Sequence, residues 1–155
     1  MAQLRKFEQQ EFTSLIIDLR NNSGGFIYEA IGFGALFVTK NQLIKLKKKD
    51  NAPLAVTRPK NHPFIPSKRL IILINNKTAS AAEAAVNILN QHPNRIIIGE
   101  KSYGKHSITS ENNATIYNAL LIGEIRPDIH RKWLPSQSTQ NIYLQALAVA
   151  NQREN

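Results

Sequence analysis

The sequence predicts a single α/β domain, in which strands and helices alternate along the chain. Two segments with apolar centres, residues 70–74 and 95–99, have the length of buried strands and end at asparagine or glycine. Between them, residues 81–89 are mostly small and helix-compatible. A strand–helix–strand unit of this kind places its two strands side by side and parallel, with a right-handed crossover. The predicted class is therefore α/β with a mainly parallel sheet flanked by helices.

Composition agrees with one globular domain spanning residues 1–155. The chain is 42% hydrophobic, which is typical of a folded domain, and it has no cysteine, which excludes disulfides and thiolate sites. No segment approaches the roughly twenty apolar residues of a membrane span. Residues 1–6 lack the apolar core of a signal peptide. We therefore expect the chain either to start in mature form or to have been cut from a longer parent.

The chain is basic, with a formal net charge of +9. Lysine and arginine recur in residues 45–49, 58–60, 68–69 and 131–132. Alternating lysines suit an exposed or edge strand, so a solvated surface is the favoured interpretation. The charge also leaves open an interaction module for anionic partners, but no RNA-binding aromatic motif or zinc pattern supports nucleic acid. No specific nucleic-acid partner, cofactor or metal is predicted.

The first half of the chain divides at polar and glycine-rich stretches. The predicted elements are a short helix (4–11), a buried strand (14–19), a two-glycine loop (20–25), a buried helix (26–38) and an exposed strand (42–49). Gly32 and Gly34 weaken the second helix but allow close packing. Four prolines in residues 50–68 indicate a loop, with a short strand at 54–57.

The second half continues the alternation beyond residue 99. It predicts a polar turn (110–113), a strand (114–125), a linker (135–139) and a closing helix (141–150). Ser138 or Thr139 is positioned to cap that last helix.

Ser80 lies at the junction between the first apolar strand and the helix that follows it. Its hydroxyl would stand at the carboxyl end of a parallel strand, where open sheets place ligands. The free N–H groups of the first helical turn would face the same place. Taken alone, the pattern favours a helix cap supplied by Ser80 or Thr78.

Lys105 follows the second strand in a glycine-punctuated loop, and the parallel arrangement brings this loop beside Ser80. A lysine that assists a serine must be neutral, so burial would have to lower its pKa. Serine activated by neutral lysine is a known variant of the catalytic triad. We expect no carboxylate to pair tightly with the Lys105 amine, and Glu83 and Glu100 are the residues near enough to do so.

Four motifs carry a family resemblance. They are T-A-S-A-A-E at 78–83, G-E-K-S-Y-G-K at 99–105, D-L-R-N-N-S-G-G at 18–25 and I-R-P-D-I at 125–129. In their order along the chain they resemble the carboxyl-terminal processing proteases, or tail-specific proteases, whose core is that of peptidase family S41. The family's nucleophilic serine and basic lysine are twenty-five positions apart, as are Ser80 and Lys105.

The resemblance implies a crotonase-like core and a hydrolase that cleaves polypeptides near their carboxyl termini. Ser80 would form the acyl-enzyme, and Lys105 would act as base. The backbone N–H groups of Gly25 and Ala81 would bind the oxyanion, with Gly24 as the near alternative to Gly25. The partner would be a protein or peptide substrate, and the location would be extracytoplasmic, such as periplasmic, if the chain is cut from a longer precursor.

The sequence also departs from the family pattern. We expect residues 1–155 to be without the peptide-binding PDZ module and the family's first core strands, and residues 105–127 to be shorter than usual, so a second copy or a partner could supply the missing core surface. Thr109 stands where the family commonly has a glutamine that orients the base. Thr109 can hydrogen-bond but is shorter. These departures favour an alternative function, a weak or inactive relative that binds peptides or apolar ligands.

Other polar residues receive simpler interpretations. Asp18 and Arg20 are expected to pair or cap around the glycine loop. A rival catalytic set would join Ser80 to His106 and Asp128, but neighbours on a strand point to opposite faces, so His106 and Lys105 cannot easily both face Ser80. The remaining histidines have no metal-ligand spacing and are expected at the surface or in loops. They are His62, His92 and His130.

Overall fold

A computed structural model describes residues 13–48, 53–60, 69–105, 107–109, 115–118 and 124–152. Its elements, in chain order, are β1 (Ser14–Asp18), α1 (Ile27–Ala35), β2 (Gln42–Lys48), β3 (Pro53–Thr57), β4 (Arg69–Ile74), α2 (Ala81–Leu89), β5 (Arg95–Gly99), β6 (Ser107–Thr109), β7 (Thr115–Asn118), β8 (Ile129–His130) and α3 (Thr139–Asn151). The helix predicted at 4–11 and the turn predicted at 110–113 lie outside the described residues.

A four-stranded parallel sheet forms the centre of the fold, in the order β1-β4-β5-β8. β4 lies between β1 and β5, with Ile71 opposite Ile16 on one side and Ile96 on the other. Its residues 70–74 are fully buried. Both faces of a parallel sheet are covered by helices, which explains why β4 and β5 are continuous apolar runs. The predicted α/β class and the adjacent parallel β4–α2–β5 unit are confirmed.

Helices cover the two faces of this sheet differently. Alternate β4 residues, Leu70, Ile72 and Ile74, share a core with Val86 and Leu89 of α2 on one face. On the other face, Ile71 and Leu73 pack with Ile142 and Ala146 of α3. These contacts follow the strand and helix periodicities of two and 3.6 residues. The carboxyl ends of the strands are thus left at one open edge between the helical layers.

The helices α1 and α2 approach each other closely at a glycine. A Cβ added to Gly34 of α1 would lie 2.7 Å from the Cγ2 atom of Ile88 in α2. The position therefore accommodates no larger side chain unless the helices separate, and the packing expected of Gly34 is confirmed. The closing helix α3 begins as expected after Ser138, whose Oγ accepts a hydrogen bond from the Asn141 N–H at 3.2 Å.

A second sheet is antiparallel, in the order β3-β2-β7-β6. In β2, Leu43, Ile44 and Leu46 are buried whereas Lys45 is exposed. The apolar residues share a core with Ala84 and other residues of the two neighbouring helices. The sequence predicts the strands at β2 and β3 and contains a strand signal at β7. It does not predict β6, which directly follows the Lys105 loop and has only three residues.

The two described histidines lie where the sequence predicts them, at the surface or in loops. His92 lies in the turn after α2, as expected of a loop residue, although it is only 7% exposed. Its backbone N–H donates to the Leu89 carbonyl in the turn that ends α2, and its ring Nδ1 accepts from the Asn94 N–H at 3.2 Å. A polar ring held by such turn hydrogen bonds can be buried at low cost. His130 is exposed, as expected. His62 and His106 lie outside the described residues.

Candidate active site

The turn between β4 and α2 is fixed by its own side chains. The hydroxyl of the buried Thr78 accepts a hydrogen bond from the Asn75 N–H at 3.0 Å and donates to the Leu19 carbonyl at 2.8 Å. The Asn75 side chain accepts hydrogen bonds from the N–H groups of Asn21 and Lys77, at 2.9 and 3.1 Å. Thr78 therefore ties this turn to the end of β1 and does not cap the helix.

Ser80 is the N-cap residue of α2 and has an unusual backbone conformation. Its φ is 55° and its ψ is −122°, a region that residues with a Cβ rarely occupy. Its N–H donates to Oε2 of Glu83 at 2.9 Å, as part of a capping box. A strained serine on a sharp strand-to-helix turn is also the arrangement that presents the nucleophile in α/β-hydrolases. The backbone conformation of Ser80 is therefore compatible both with helix capping and with a nucleophilic role.

The Glu83 carboxylate is the centre of a buried hydrogen-bond network. Its Oε2 accepts from the backbone N–H of Ser80 at 2.9 Å and from that of Lys105 at 3.0 Å. Its Oε1 accepts from the Ser102 hydroxyl at 2.5 Å and from the Gly104 N–H at 2.6 Å. Four donors satisfy a carboxylate that has no exposed surface. One oxygen atom thus joins the backbones of Ser80 and Lys105.

Lys105 lies partly buried in the loop after β5. Among the described residues it forms no ion pair, and Glu83 contacts its backbone N–H and not its amine. Glu100 donates its own backbone N–H to the Ile74 carbonyl at 3.2 Å. Within the described part of the chain, neither of the two glutamates singled out from the sequence holds the Lys105 side chain in an ion pair.

The two glycines of the loop after β1 differ in their surroundings. Gly24 has a φ of +102°, and a Cβ added to it would lie 2.8 Å from both the Ala79 carbonyl oxygen and the Ala81 nitrogen. Its N–H already donates to Oδ1 of Asn22 at 2.9 Å. A Cβ added to Gly25 would meet nothing within 4 Å. Within the described residues, the N–H groups of Gly25 and Ala81 donate to no acceptor.

Gly24 therefore brings the loop into contact with the Ser80 turn, and Gly25 presents an unused donor beside it. The loop is also joined to the turn by the Ala79 N–H, which donates to the Asn22 carbonyl at 2.9 Å. A cavity of about 250 Å³ opens next to these groups. Its lining includes Gly25, Phe26, Ala81 and Phe33.

Ser102 is a site residue that the sequence analysis did not single out. Its buried hydroxyl donates to Glu83 and accepts from the Ile125 N–H at 2.7 Å, while its own N–H donates to the Ile125 carbonyl at 3.0 Å. The next residue, Tyr103, donates its N–H to the Thr78 carbonyl at 2.9 Å. Ser102 thereby connects the loop at residues 100–105, the lysine loop, to the motif at 125–129. The signal in the sequence that could have identified Ser102 is its position between Gly99 and Gly104 in the motif at 99–105.

Asp18 and Arg20 pair as predicted. Arg20 donates two side-chain hydrogen bonds to the Asp18 carboxylate, at 2.9 and 2.6 Å, and its guanidinium lies 5.1 Å from the centre of the Trp133 ring. The hydrogen bonds that Arg20 donates to Asp18 raise the pKa of Arg20 above its ordinary value, against an opposing effect of burial. The ion pair stabilises the end of β1 and is not part of the Glu83 hydrogen-bond network that joins Ser80 and Lys105.

The other residues predicted for the site are less closely connected to the Glu83 hydrogen-bond network. Asp128 forms an ion pair with Arg95 at 3.3 Å and accepts the Ile97 N–H at 2.8 Å. His106, its proposed partner in the rival set, lies outside the described residues. Thr109 belongs to β6 and pairs with Thr115 of β7. No group of three or more histidine or carboxylate residues in the described ranges could hold a metal ion.

Comparison with known proteins places these motifs in a family. The model of peptidase family S41 matches residues 1–137. The chain belongs to peptidase family S41. The S41 chain is 32% identical over 101 residues to the carboxy-terminal processing protease CtpA of Bacillus subtilis, a match that covers 65% of the chain and 22% of CtpA. It is 29% identical to the carboxyl-terminal-processing protease of a Synechocystis strain, covering 69% of the chain and 25% of that relative.

Among solved structures, the photosystem II D1 C-terminal processing protease is similar in fold. It gives a TM-score of 0.70 at 21% identity, covering 84% of the S41 chain and 38% of that protein. The family and the fold class expected from the sequence are thus confirmed. The chain spans about a quarter or less of the length of the two curated relatives. In the described part of the chain, no helix is long and apolar enough to cross a membrane.

Proposed function

We propose that the chain is the core of a serine endopeptidase that cleaves polypeptides near their carboxyl termini through a Ser80–Lys105 dyad. The observation that carries the proposal is the Glu83 network. One buried carboxylate oxygen accepts the backbone N–H groups of both Ser80 and Lys105. The backbone N–H groups of two residues twenty-five positions apart therefore meet at one carboxylate oxygen. The carboxyl edge of a parallel sheet is where α/β proteins bind ligands, which supports a site here.

In the proposed reaction, Ser80 Oγ attacks the carbonyl carbon of the scissile peptide bond. The neutral Lys105 amine takes the serine proton as the new C–O bond forms. The resulting ammonium then donates that proton to the nitrogen of the departing amine, and the C–N bond breaks to leave an acyl-enzyme on Ser80. Water attacks the acyl group, Lys105 accepts its proton, and return of that proton to Ser80 Oγ releases the carboxylic acid.

The negative charge that develops on the substrate oxygen needs fixed donors. Gly25 and Ala81 support this role because their N–H groups have no other acceptor among the described residues. We favour Gly25 over Gly24 as the donor, because the Gly24 N–H is already bonded to the Asn22 side chain. Preorganised donors of this kind commonly contribute a factor of about 10² to 10³ in rate each.

The family membership adds substrate and location to the proposal. We propose a protein or peptide tail as the substrate and an extracytoplasmic site of action, because the chain matches carboxyl-terminal processing proteases. We also propose that a second copy or another chain adds core surface beside β1, which within the described strands pairs only with β4. Light scattering of the purified chain tests the second-copy form of this proposal, which a monomer at all concentrations would contradict.

A fluorophosphonate probe tests the nucleophile directly. Intact mass should show one phosphonyl adduct on the wild-type chain and none on Ser80→Ala. Ser138→Ala is the matched control, because Ser138 also caps a helix but packs at the start of α3, and it should label like wild type. Lys105→Ala should label far more slowly. Adduct on Ser80→Ala would overturn the assignment.

A second candidate function is a peptide-binding module without hydrolysis. Thr109, at the position where the family commonly has a glutamine, favours it. The two functions separate when probe labelling is combined with peptide binding. Absence of both adduct and cleavage, with peptide affinity retained, would support the binding module in place of the peptidase.

A further inference from the structure

The cavity beside Gly25 and Ala81 has apolar walls and one carboxylate at its edge. Phe33, Ala30 and Ala85 supply apolar lining, and Glu29 is a charged lining residue. The cavity volume of about 250 Å³ is large enough for one amino-acid side chain. Because Gly25 and Ala81 also line it, a side chain that fills the cavity belongs to the substrate residue next to the oxyanion position.

Glu29 is an exposed residue in the first turn of α1, and within the described ranges it forms no ion pair. An acid in this position favours the helix macrodipole, which is a sufficient structural reason for its presence. Helix stability does not explain the residue three positions earlier. Phe26 is the N-cap residue, makes no capping hydrogen bond and is 64% exposed, yet it lines the same cavity.

A carboxylate and an exposed phenyl ring are the two kinds of group that attract an alkylammonium ion. A lysine side chain has an apolar stem that fits the alanine and phenylalanine walls and a cationic tip that reaches the edge. We propose that this cavity selects a lysine-type side chain on the substrate residue that supplies the scissile carbonyl. The catalytic part of this inference rests on the proposed peptidase function, whereas side-chain selection can be measured by binding alone.

The test compares two peptides that differ only at this residue, one with lysine and one with norleucine, which has a similar stem without the charge. We measure kcat/KM for wild type, Glu29→Gln and the matched control Glu100→Gln, which removes a carboxylate outside the cavity. Wild type should prefer lysine by about fivefold, the size of a partly exposed ion pair. Glu29→Gln should reduce the ratio to about one, Glu100→Gln should preserve it, and added salt should lower it in wild type.

Dissociation constants for the same peptides on Ser80→Ala, with and without Glu29→Gln, separate this inference from the proposed function. A lysine preference in binding without any wild-type cleavage would overturn the peptidase but support the cavity assignment. Cleavage by wild type without a lysine preference would support the peptidase but overturn the cavity assignment. Norleucine bound or cleaved as well as lysine by wild type, or an equal preference in Glu29→Gln, would overturn the inference.

Discussion

The serine turn and the lysine loop are held in place by different kinds of contact. The turn at 75–83 is stabilised largely from within, by Asn75, Thr78 and the Ser80–Glu83 pair, with further bonds to the loop after β1. The loop at 100–105 depends on distant residues, since Ser102 bonds Ile125 and Gly104 and Lys105 bond Glu83. The turn of the proposed nucleophile is thus shaped mainly by local sequence, whereas the loop of the proposed base is positioned only when the tertiary structure is complete.

The largest effect should come from removing either member of the dyad. Ser80→Ala and Lys105→Met should each lower kcat/KM by about 10⁴-fold or more, because the two residues of the proposed dyad would act as a unit. Lys105→Arg should be equally damaging, since a guanidinium stays protonated and cannot accept the serine proton. Peptide cleavage rates give the comparison, with thermal melts as the control for folding. An active Lys105→Arg enzyme would contradict the dyad.

Glu83 joins the two regions, so changing it should loosen both. Glu83→Gln places an amide N–H₂ group against backbone donors and should reduce the free energy of unfolding by about 2–4 kcal/mol. Cleavage should fall together with stability, because the lysine loop loses its anchor. Urea denaturation of Glu83→Gln beside Glu100→Gln measures this. An equally stable Glu83→Gln chain would show that the network contributes little.

The two loop glycines offer a smaller and more local test. Gly24→Ala should destabilise the chain by about 1–3 kcal/mol and impair cleavage, because its φ of +102° disfavours a Cβ and the added atom would press on the Ser80 turn. Gly25→Ala meets open space and should change stability by less than about 0.5 kcal/mol. Urea denaturation curves of the two variants measure this difference in stability. Equal losses in both variants would contradict the distinction between them.

The smallest effect should come from the exposed ion pairs at the outer end of the lysine loop. Hydrogen bonds from Lys101 and Arg126 lower the pKa of the Glu124 carboxyl below its ordinary value of 4.5. A carboxyl with a lowered pKa stabilises the fold above its unfolded-state pKa, and that contribution is lost as the pH falls through the lowered value. Glu124→Gln should therefore melt slightly below wild type at neutral pH, with the difference vanishing in acid. A melting difference between Glu124→Gln and wild type that grows as the pH falls would contradict this prediction.

The same contrast explains what the sequence could predict. The β4–α2–β5 unit, the Ser80 turn and the Ser138 cap follow from residues close together in the chain, and each is observed where expected. The short strands β6 and β8, of three and two residues, are too short to show a periodicity. Their existence depends on pairing with distant strands, which a linear pattern does not contain.

Long-range hydrogen bonds account for the remaining omissions at the site. The motif T-A-S-A-A-E marks Glu83 as a capping residue, but nothing local indicates that it also accepts Ser102, Gly104 and Lys105. Likewise, two adjacent glycines look alike in sequence. Only the contact of Gly24 with the Ser80 turn distinguishes it from Gly25. The burial of His92 has the same origin, because a turn at a helix end acquires its environment from the surrounding fold.

The backbone of Ser80 has a consequence for how this chain can change over time. A φ of 55° with a ψ of −122° is a conformation that glycine adopts far more readily than serine. A chain with glycine at this position would relieve local strain while losing the hydroxyl. If Ser80 is the nucleophile, as we propose, that single substitution would abolish hydrolysis while favouring the fold, and a chain that only binds polypeptides would lie one substitution away.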